Sequence, residues 1–247
     1  EGKELFEKYG IAVPQGVLVT KEASIAPFEK LVLKAQVPIS DRKEKGGILF
    51  CANSGEFHEK KAQLLQTNIG GFVPEKLLVE EHVDAVKELY VSISYDTDAQ
   101  APVLAIAEKG GTGVAEAHLF PIDVVLGLQE YQLRNIFSQT GLQGSSSLKK
   151  MIRLAWKLFQ QENALLVEIN PLFELEDGTY IAGDAKVILD DNVVNPEDRP
   201  YLELDGDIAI LASGGGASML NMDILMGAGG KPANYVEYSG NPPASVV

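Results

Sequence analysis

Leu165-Leu166-Val167-Glu168-Ile169-Asn170-Pro171-Leu172, followed after one turn by Tyr180-Ile181-Ala182-Gly183-Asp184-Ala185-Lys186, decides the reading of this chain. Leu165 to Ile169 is a short apolar, β-branched run, Asp177-Gly178 is a hairpin turn signal, and Tyr180 to Ala182 returns as a second strand. Pro171 has no N–H to give to a ladder, so the first strand is expected to bend or end there. The hairpin then brings Asn170 and Asp184 to one end. An amide oxygen and a carboxylate in that arrangement are hard ligands that suit one Mg²⁺ shared with substrate phosphates. The competing reading is purely local, with Asn170 opening an Asn-Pro turn and Asp184 capping a loop.

Upstream, Leu31 to Val37 is a strand-like run carrying Lys34, and Leu77-Leu78-Val79-Glu80-Glu81 is a second, ending in carboxylates. Glu88 opens a third, Leu89 to Ile93, after a charged turn. A lysine inside an apolar strand is costly unless its ammonium reaches a partner, and a phosphate is a suitable one. Snorkelling to solvent at a sheet edge is the alternative.

The order Lys34, Glu80, Glu88, Asn170, Asp184 resembles an ATP-grasp nucleotide fold. More narrowly it is similar to the β-type subunit of succinyl-CoA synthetase and the corresponding region of ATP-citrate lyase (citryl-CoA synthetase). The matching stretches are Leu5 to Ile11, Val32 to Val37, Leu78-Val79-Glu80 through Lys87-Glu88-Leu89-Tyr90, Glu168 to Leu172, and Gly229 to Asn234. They are individually weak and specific in combination.

The resemblance implies an α/β chain: an ATP-grasp domain over residues 1–200 and, from 201 to 247, the incomplete start of a flavodoxin-like CoA-ligase domain. It implies nucleotide binding by Lys34, Arg42, Glu80, Val83 and Glu88, with Glu80 and Glu88 on the adenosine side, and Mg²⁺ held by Asn170 and Asp184. The family's Gly-Arg-Gly-Lys phosphate loop is replaced here by Asp41-Arg42-Lys43-Glu44, which loses both glycines and their close backbone approach, with Gly46-Gly47 as the compensating pair. Pro14 is shared with ATP-preferring members, so ATP is expected over GTP.

Lys+Arg 21 against Asp+Glu 35 leaves −14, which disfavours nucleic acid and anionic membranes as partners. Phosphates must then be held by local cations, backbone N–H groups and metal. Cys51 has no second cysteine to pair with and reads as a small buried strand residue in a reducing, cytoplasmic compartment. No apolar run is long enough to span a bilayer. The chain lacks an initiator Met and opens inside a helical pattern, so it is expected to be a piece of a longer protein.

Residues 1 to about 30 read as helix, strand (Gly16 to Thr20) and helix. Ser147 to about Asn163 is an amphipathic helix with N-caps among Ser145 to Ser147; Trp156 and Phe159 are assigned to packing alone. Asp190 to Pro200 reads as a linker. A fresh βαβ signal follows: strand Ile208 to Leu211, the loop Ser213-Gly214-Gly215-Gly216-Ala217-Ser218, a helix over Met219 to Met226, and strand Asn234 to Val236.

A glycine turn leading into a helix N-terminus presents N–H groups and the positive end of the helix dipole to an anion. The G-x-G-x-x-G spacing of a dinucleotide fingerprint is missing, and Glu237 alone stands where its acidic residue belongs. By resemblance, Gly214, Gly215, Gly216, Ala217 and Ser218 bind phosphate or a carboxylate of the acid, opposite a phosphohistidine on a partner α-type subunit or domain. His58, His82 and His118 sit in polar or turn contexts and read as surface or loop histidines, so no catalytic residue is assigned within this chain.

The implied function is the ATP- and Mg²⁺-binding part of an acid-CoA ligase, with coenzyme A as co-substrate. The glycine loop and Tyr235-Val236-Glu237-Tyr238-Ser239-Gly240 favour citrate, and succinate is the alternative acid. A non-catalytic nucleotide-binding module would bind ATP without phosphotransfer. A dinucleotide oxidoreductase requires a complete Rossmann domain.

Overall fold

Alternation of apolar and polar side chains builds the first sheet. In the computed structural model, which describes residues 1–22, 26–39, 42–110, 117–142, 144–190, 201–212 and 214–237, helix α1 (Gly2–Lys8) is followed by four strands. These are β1 (Gly16–Val19), β2 (Leu31–Ala35), β3 (Ile48–Cys51) and β4 (Leu77–Glu81), in the antiparallel order β1-β4-β2-β3. Leu31, Leu33 and Ala35 of β2, Leu77 and Val79 of β4 and the free Cys51 of β3 form one core with Phe57 and Leu64 of helix α2 (Phe57–Leu64). Full burial of such leucines and phenylalanines is worth roughly 1.5–3 kcal/mol each. A strand's period of two then turns Val32, Lys34 and Glu80 to the opposite face.

The second sheet comprises β5 (Lys87–Asp96), β6 (Ala101–Ala107), β7 (His118–Pro121), β8 (Ala164–Glu174), β9 (Tyr180–Ala182) and β10 (Lys186–Leu189). Its order is β10-β8-β5-β6-β7, with β9 paired to β8. Helix α3 (Glu130–Thr140) ends at Gly141, whose φ of +73° needs no side chain. Helix α4 (Ser146–Gln161) starts where Ser145 accepts a hydrogen bond from Leu148 N at 3.1 Å. Its buried stripe Leu148, Met151, Ile152, Ala155, Leu158 and Phe159 packs against β8 and β5, with Trp156 stacked on Phe159 at 5.6 Å.

Strand β8 bends at Pro171 and does not end there. The pairs Leu89↔Leu172 and Val91↔Ile169 show one extra residue on β8, a bulge at Asn170-Pro171, whose peptide is cis. The β9 side continues: Ala182 pairs with Leu172, and Gly183 N donates to Pro171 O at 2.8 Å.

These elements belong to one compact unit, Glu1–Ile188; Leu189–Val247 is another. In the second unit, β11 (Tyr201–Glu203) pairs antiparallel with β12 (Asn234–Val236), and helix α5 runs over Gly215–Gly227.

Three expectations need correcting. Residues 21–22 and 26–30 form turns and bends and no helix, consistent with Pro27, which disfavours helical backbone at Ala26. The strand expected at Ile208 to Leu211 is reduced to one parallel bridge, Ile208↔Pro232, because proline offers no N–H to a ladder. The Asn234 side chain substitutes, accepting from Ile210 N at 2.9 Å and donating to Ile210 O at 3.0 Å. Helix α5 begins at Gly215, four residues before Met219. The linker expected at 190–200 lies, beyond residue 190, outside the described residues. Among the described residues no helix is long and apolar enough to cross a membrane.

Candidate nucleotide site

The polar face of the first sheet and the end of the β8–β9 hairpin enclose a cavity of about 870 Å³. Strand alternation supplies Val32 and Lys34 from β2, Ile48 and Phe50 from β3 and Glu80 from β4; the second sheet adds Glu88, Tyr90, Glu168 and Asn170. Arg42, Val83 and Asp184 complete the set, so every residue expected at the nucleotide and the metal lines this one space. Pro14 also lies in its wall.

Lys34 is not a snorkelling lysine. Its ammonium donates to Gly183 O at 2.7 Å and lies 2.6 Å from Glu80 Oε2. Glu80 is 2% exposed, so its carboxylate is a buried charge held by ammonium groups and not an open acceptor for adenosine. Its other oxygen accepts from Lys3 of α1, and Lys3 Nζ also donates to Gly183 O at 2.8 Å. Burial, with the neighbouring Lys34 charge second, brings the Lys3 ammonium down from its ordinary 10.5 to about 8.

Arg42 belongs to the altered phosphate loop, of which Asp41 lies outside the described residues. Gly46, at φ +76°, and Gly47 close its turn: Gly47 N donates to Arg42 O at 2.6 Å, and a Cβ on Gly47 would stand 2.9 Å from that oxygen. The Arg42 guanidinium then donates to Asp184 Oδ2 at 3.1 Å and Ala35 O at 3.4 Å. Asp184 Oδ1 accepts from Ala185 N at 2.9 Å.

The donor set fits a particular kind of metal site. Among the described residues no three His, Cys, Asp or Glu side chains converge on a possible ion. Asn170 and Asp184 supply two hard oxygens, which suits Mg²⁺, an ion that takes few protein ligands and fills its octahedron with phosphates and water. Lys34, Arg42, Lys43 and Lys186 place local cations in the same wall, in a chain of net charge −14.

Two residues were missed in the sequence. Lys3 sits in an ordinary amphipathic helix, and nothing local marks it. His82 stands in the cavity wall, its ring 4.6 Å from that of Phe50 and its Nδ1 3.3 Å from Asp84 Oδ1, and the preceding Glu80-Glu81 strand end was the available signal. Glu88 and Val83 line the cavity as expected positions, with Glu88 exposed.

In the second unit, Gly214 adopts φ +85° before the first turn of α5. A Cβ on Gly215 would lie 3.0 Å from the Glu237 carboxylate and from the Tyr235 hydroxyl, whereas Gly216 faces open space. Ser218 is fully buried and its hydroxyl donates to Val236 O at 2.7 Å, so it holds the helix to β12. Ala217 is exposed in the first turn, and Ser213 lies outside the described residues.

Residues 1–174 match the model of the ATP-grasp domain, and residues 199–247 match that of the ATP citrate lyase citrate-binding region. The chain is 36% identical, over its whole length and 75% of the relative, to the succinate–CoA ligase [ADP-forming] subunit beta of Methanocaldococcus jannaschii. The chain belongs to the ATP-grasp family of succinate–CoA ligase β subunits. A GDP-forming family member, from Thermus thermophilus, is 31% identical over all of this chain and 75% of its own length. ATP citrate lyase from Methanothrix soehngenii, solved with citrate and coenzyme A, shares the fold at a TM-score of 0.68 and 20% identity, covering 99% of this chain and 71% of that one. The family is one of ATP-dependent CoA ligases.

Proposed function

We propose that this chain is the ATP- and Mg²⁺-binding part of a citrate–CoA ligase of the ATP-citrate lyase type, with residues 1–200 as the nucleotide domain and 201–247 as the start of the CoA-ligase domain. The observation that carries the nucleotide reading is the convergence of Lys34, Arg42, Asn170 and Asp184 on one cavity. Lys34 and Arg42 bind and orient the phosphates, Val32, Ile48 and Phe50 offer an apolar wall to the base, and Glu88 accepts from the nucleoside. Asn170 and Asp184 would hold Mg²⁺, which would supply positive charge to offset that of the phosphates. The acceptor of the γ-phosphoryl group is a histidine of a partner α-type subunit or domain. Gly214 to Ser218 present N–H groups to the phosphate or to a carboxylate of the acid. Pro14 in the cavity wall supports ATP over GTP.

Citrate is favoured by the match of residues 199–247 to a citrate-binding model. Succinate is the second reading, favoured by the 36% identity to a succinate–CoA ligase subunit along the whole chain. The test is phosphorylation of a co-purified partner with labelled ATP, followed by CoA thioester formation with citrate, succinate or malate. Citrate-dependent thioester supports the proposal and succinate alone supports the second reading. ATP binding without phosphotransfer points to a non-catalytic module.

A further inference from the structure

Two ammonium groups and two acceptors form a closed set at the cavity wall. Lys3 and Lys34 each contact both Glu80 and the carbonyl of Gly183, the residue before Asp184. The set carries two positive charges and one negative. Glu80 is 2% exposed, and a buried carboxylate stripped of its counter-ion is strongly unfavourable. If Lys34 were its sole partner, moving that ammonium toward a phosphate would leave Glu80 uncompensated.

Each carboxylate oxygen has its own ammonium: Lys3 hydrogen-bonds to Glu80 Oε1, and Lys34 Nζ lies 2.6 Å from Oε2. The position of Lys3 is set by packing: a Cβ on Gly2 would lie 3.1 Å from Ala185 O, which shows how closely the start of α1 abuts the segment after Asp184.

We propose that Lys3 is a positioning residue for nucleotide binding: it keeps Glu80 neutralised so that the Lys34 ammonium is free to engage a phosphate. This rests on the nucleotide reading above. Lys3 is not among the residues that line the cavity and acts through Glu80 and Gly183. The surplus positive charge at this point is what Lys3 contributes to a chain otherwise strongly acidic.

The test is calorimetric binding of Mg-ATP to the whole chain, comparing Lys3→Met with the native residue in two backgrounds, Glu80 intact and Glu80→Gln. With Glu80 intact, Lys3→Met should weaken binding about tenfold, the scale of one charge-assisted hydrogen bond. In Glu80→Gln, where no carboxylate needs neutralising, the same change should have little effect. A purely structural role for Lys3 would weaken binding equally in both backgrounds, and that result overturns the inference, as does unaltered affinity with Glu80 intact. Should Lys3→Met fail to fold, Lys3→Gln, which keeps a donor without charge, carries the same comparison. A native chain that does not bind Mg-ATP overturns the nucleotide reading and this inference together, whereas native binding with Lys3→Met indistinguishable from it overturns the inference alone.

Discussion

Lys34 Nζ and Glu80 Oε2 lie 2.6 Å apart because of strand register. Lys34 is paired with Leu78 and Val32 with Glu80, so Lys34 and Glu80 are diagonal neighbours on one face, within reach of long side chains. Lys3 makes this an unequal pair. Glu80→Ala strands two ammonium groups and should cost about 3 kcal/mol of stability, while Lys34→Met leaves Glu80 with Lys3 and should cost distinctly less. Lys34→Met should instead weaken Mg-ATP binding. Denaturant unfolding and calorimetry on the two variants separate these effects; equal destabilisation would remove the asymmetry.

Asp184→Ala should abolish Mg²⁺-dependent nucleotide turnover with the fold retained. The side chain is 38% exposed and its pair with Arg42 spans 3.1 Å, so its loss should cost at most about 1 kcal/mol. Turnover against Mg²⁺ concentration is the measurement, and unchanged Mg-ATP affinity and turnover would refute the metal role.

A pH effect follows from Lys3. Its ammonium titrates near 8 in the folded chain against 10.5 for an unrestrained lysine, so the unfolded chain binds more protons between those values. The cost of keeping Lys3 charged is fully present below about 8 and is relieved as pH rises toward 10.5. Glu80, Lys34 and Asp184 are the charged groups acting on it. The stability of the native chain relative to Lys3→Met should therefore rise over this window, as read from unfolding midpoints at pH 7.5 to 10.5. A flat or falling difference would contradict the burial that causes the shift.

Gly215→Val should block phosphoryl relay to the partner histidine while leaving Mg-ATP affinity intact. The added side chain would enter space 3.0 Å from the Glu237 carboxylate and the Tyr235 hydroxyl, at the first turn of α5. Labelled phosphate on the partner and calorimetry on the variant are the two readouts. Loss of both together would mean a single shared site.

The hairpin, the strands around Lys34 and Glu80 and the amphipathic α4 were legible because each is a local pattern: a period of two, an Asp-Gly turn, or a helical stripe behind a serine cap. The segment Ile208 to Leu211 was misread because its apolar run looked like a strand, whereas ladder formation depends on Pro232, a neighbour remote in sequence. The helix expected up to residue 30 is opposed by a local signal, Pro27, which disfavours helical backbone at Ala26.

The sequence by itself determined the strands that carry Lys34, Glu80, Glu88 and Asn170, which follow from short-range periodicity and residue chemistry, and the order of these residues with Asp184 carries the family resemblance. Only the tertiary structure decided what each charge faces. It turned Glu80 from an open acceptor into a buried counter-ion, paired Arg42 with Asp184, and brought Lys3 from the opening helix onto the same carboxylate. Those contacts join residues up to 142 positions apart, and the free energy of a buried charge depends on the groups that surround it in space, which neighbours along the chain do not specify.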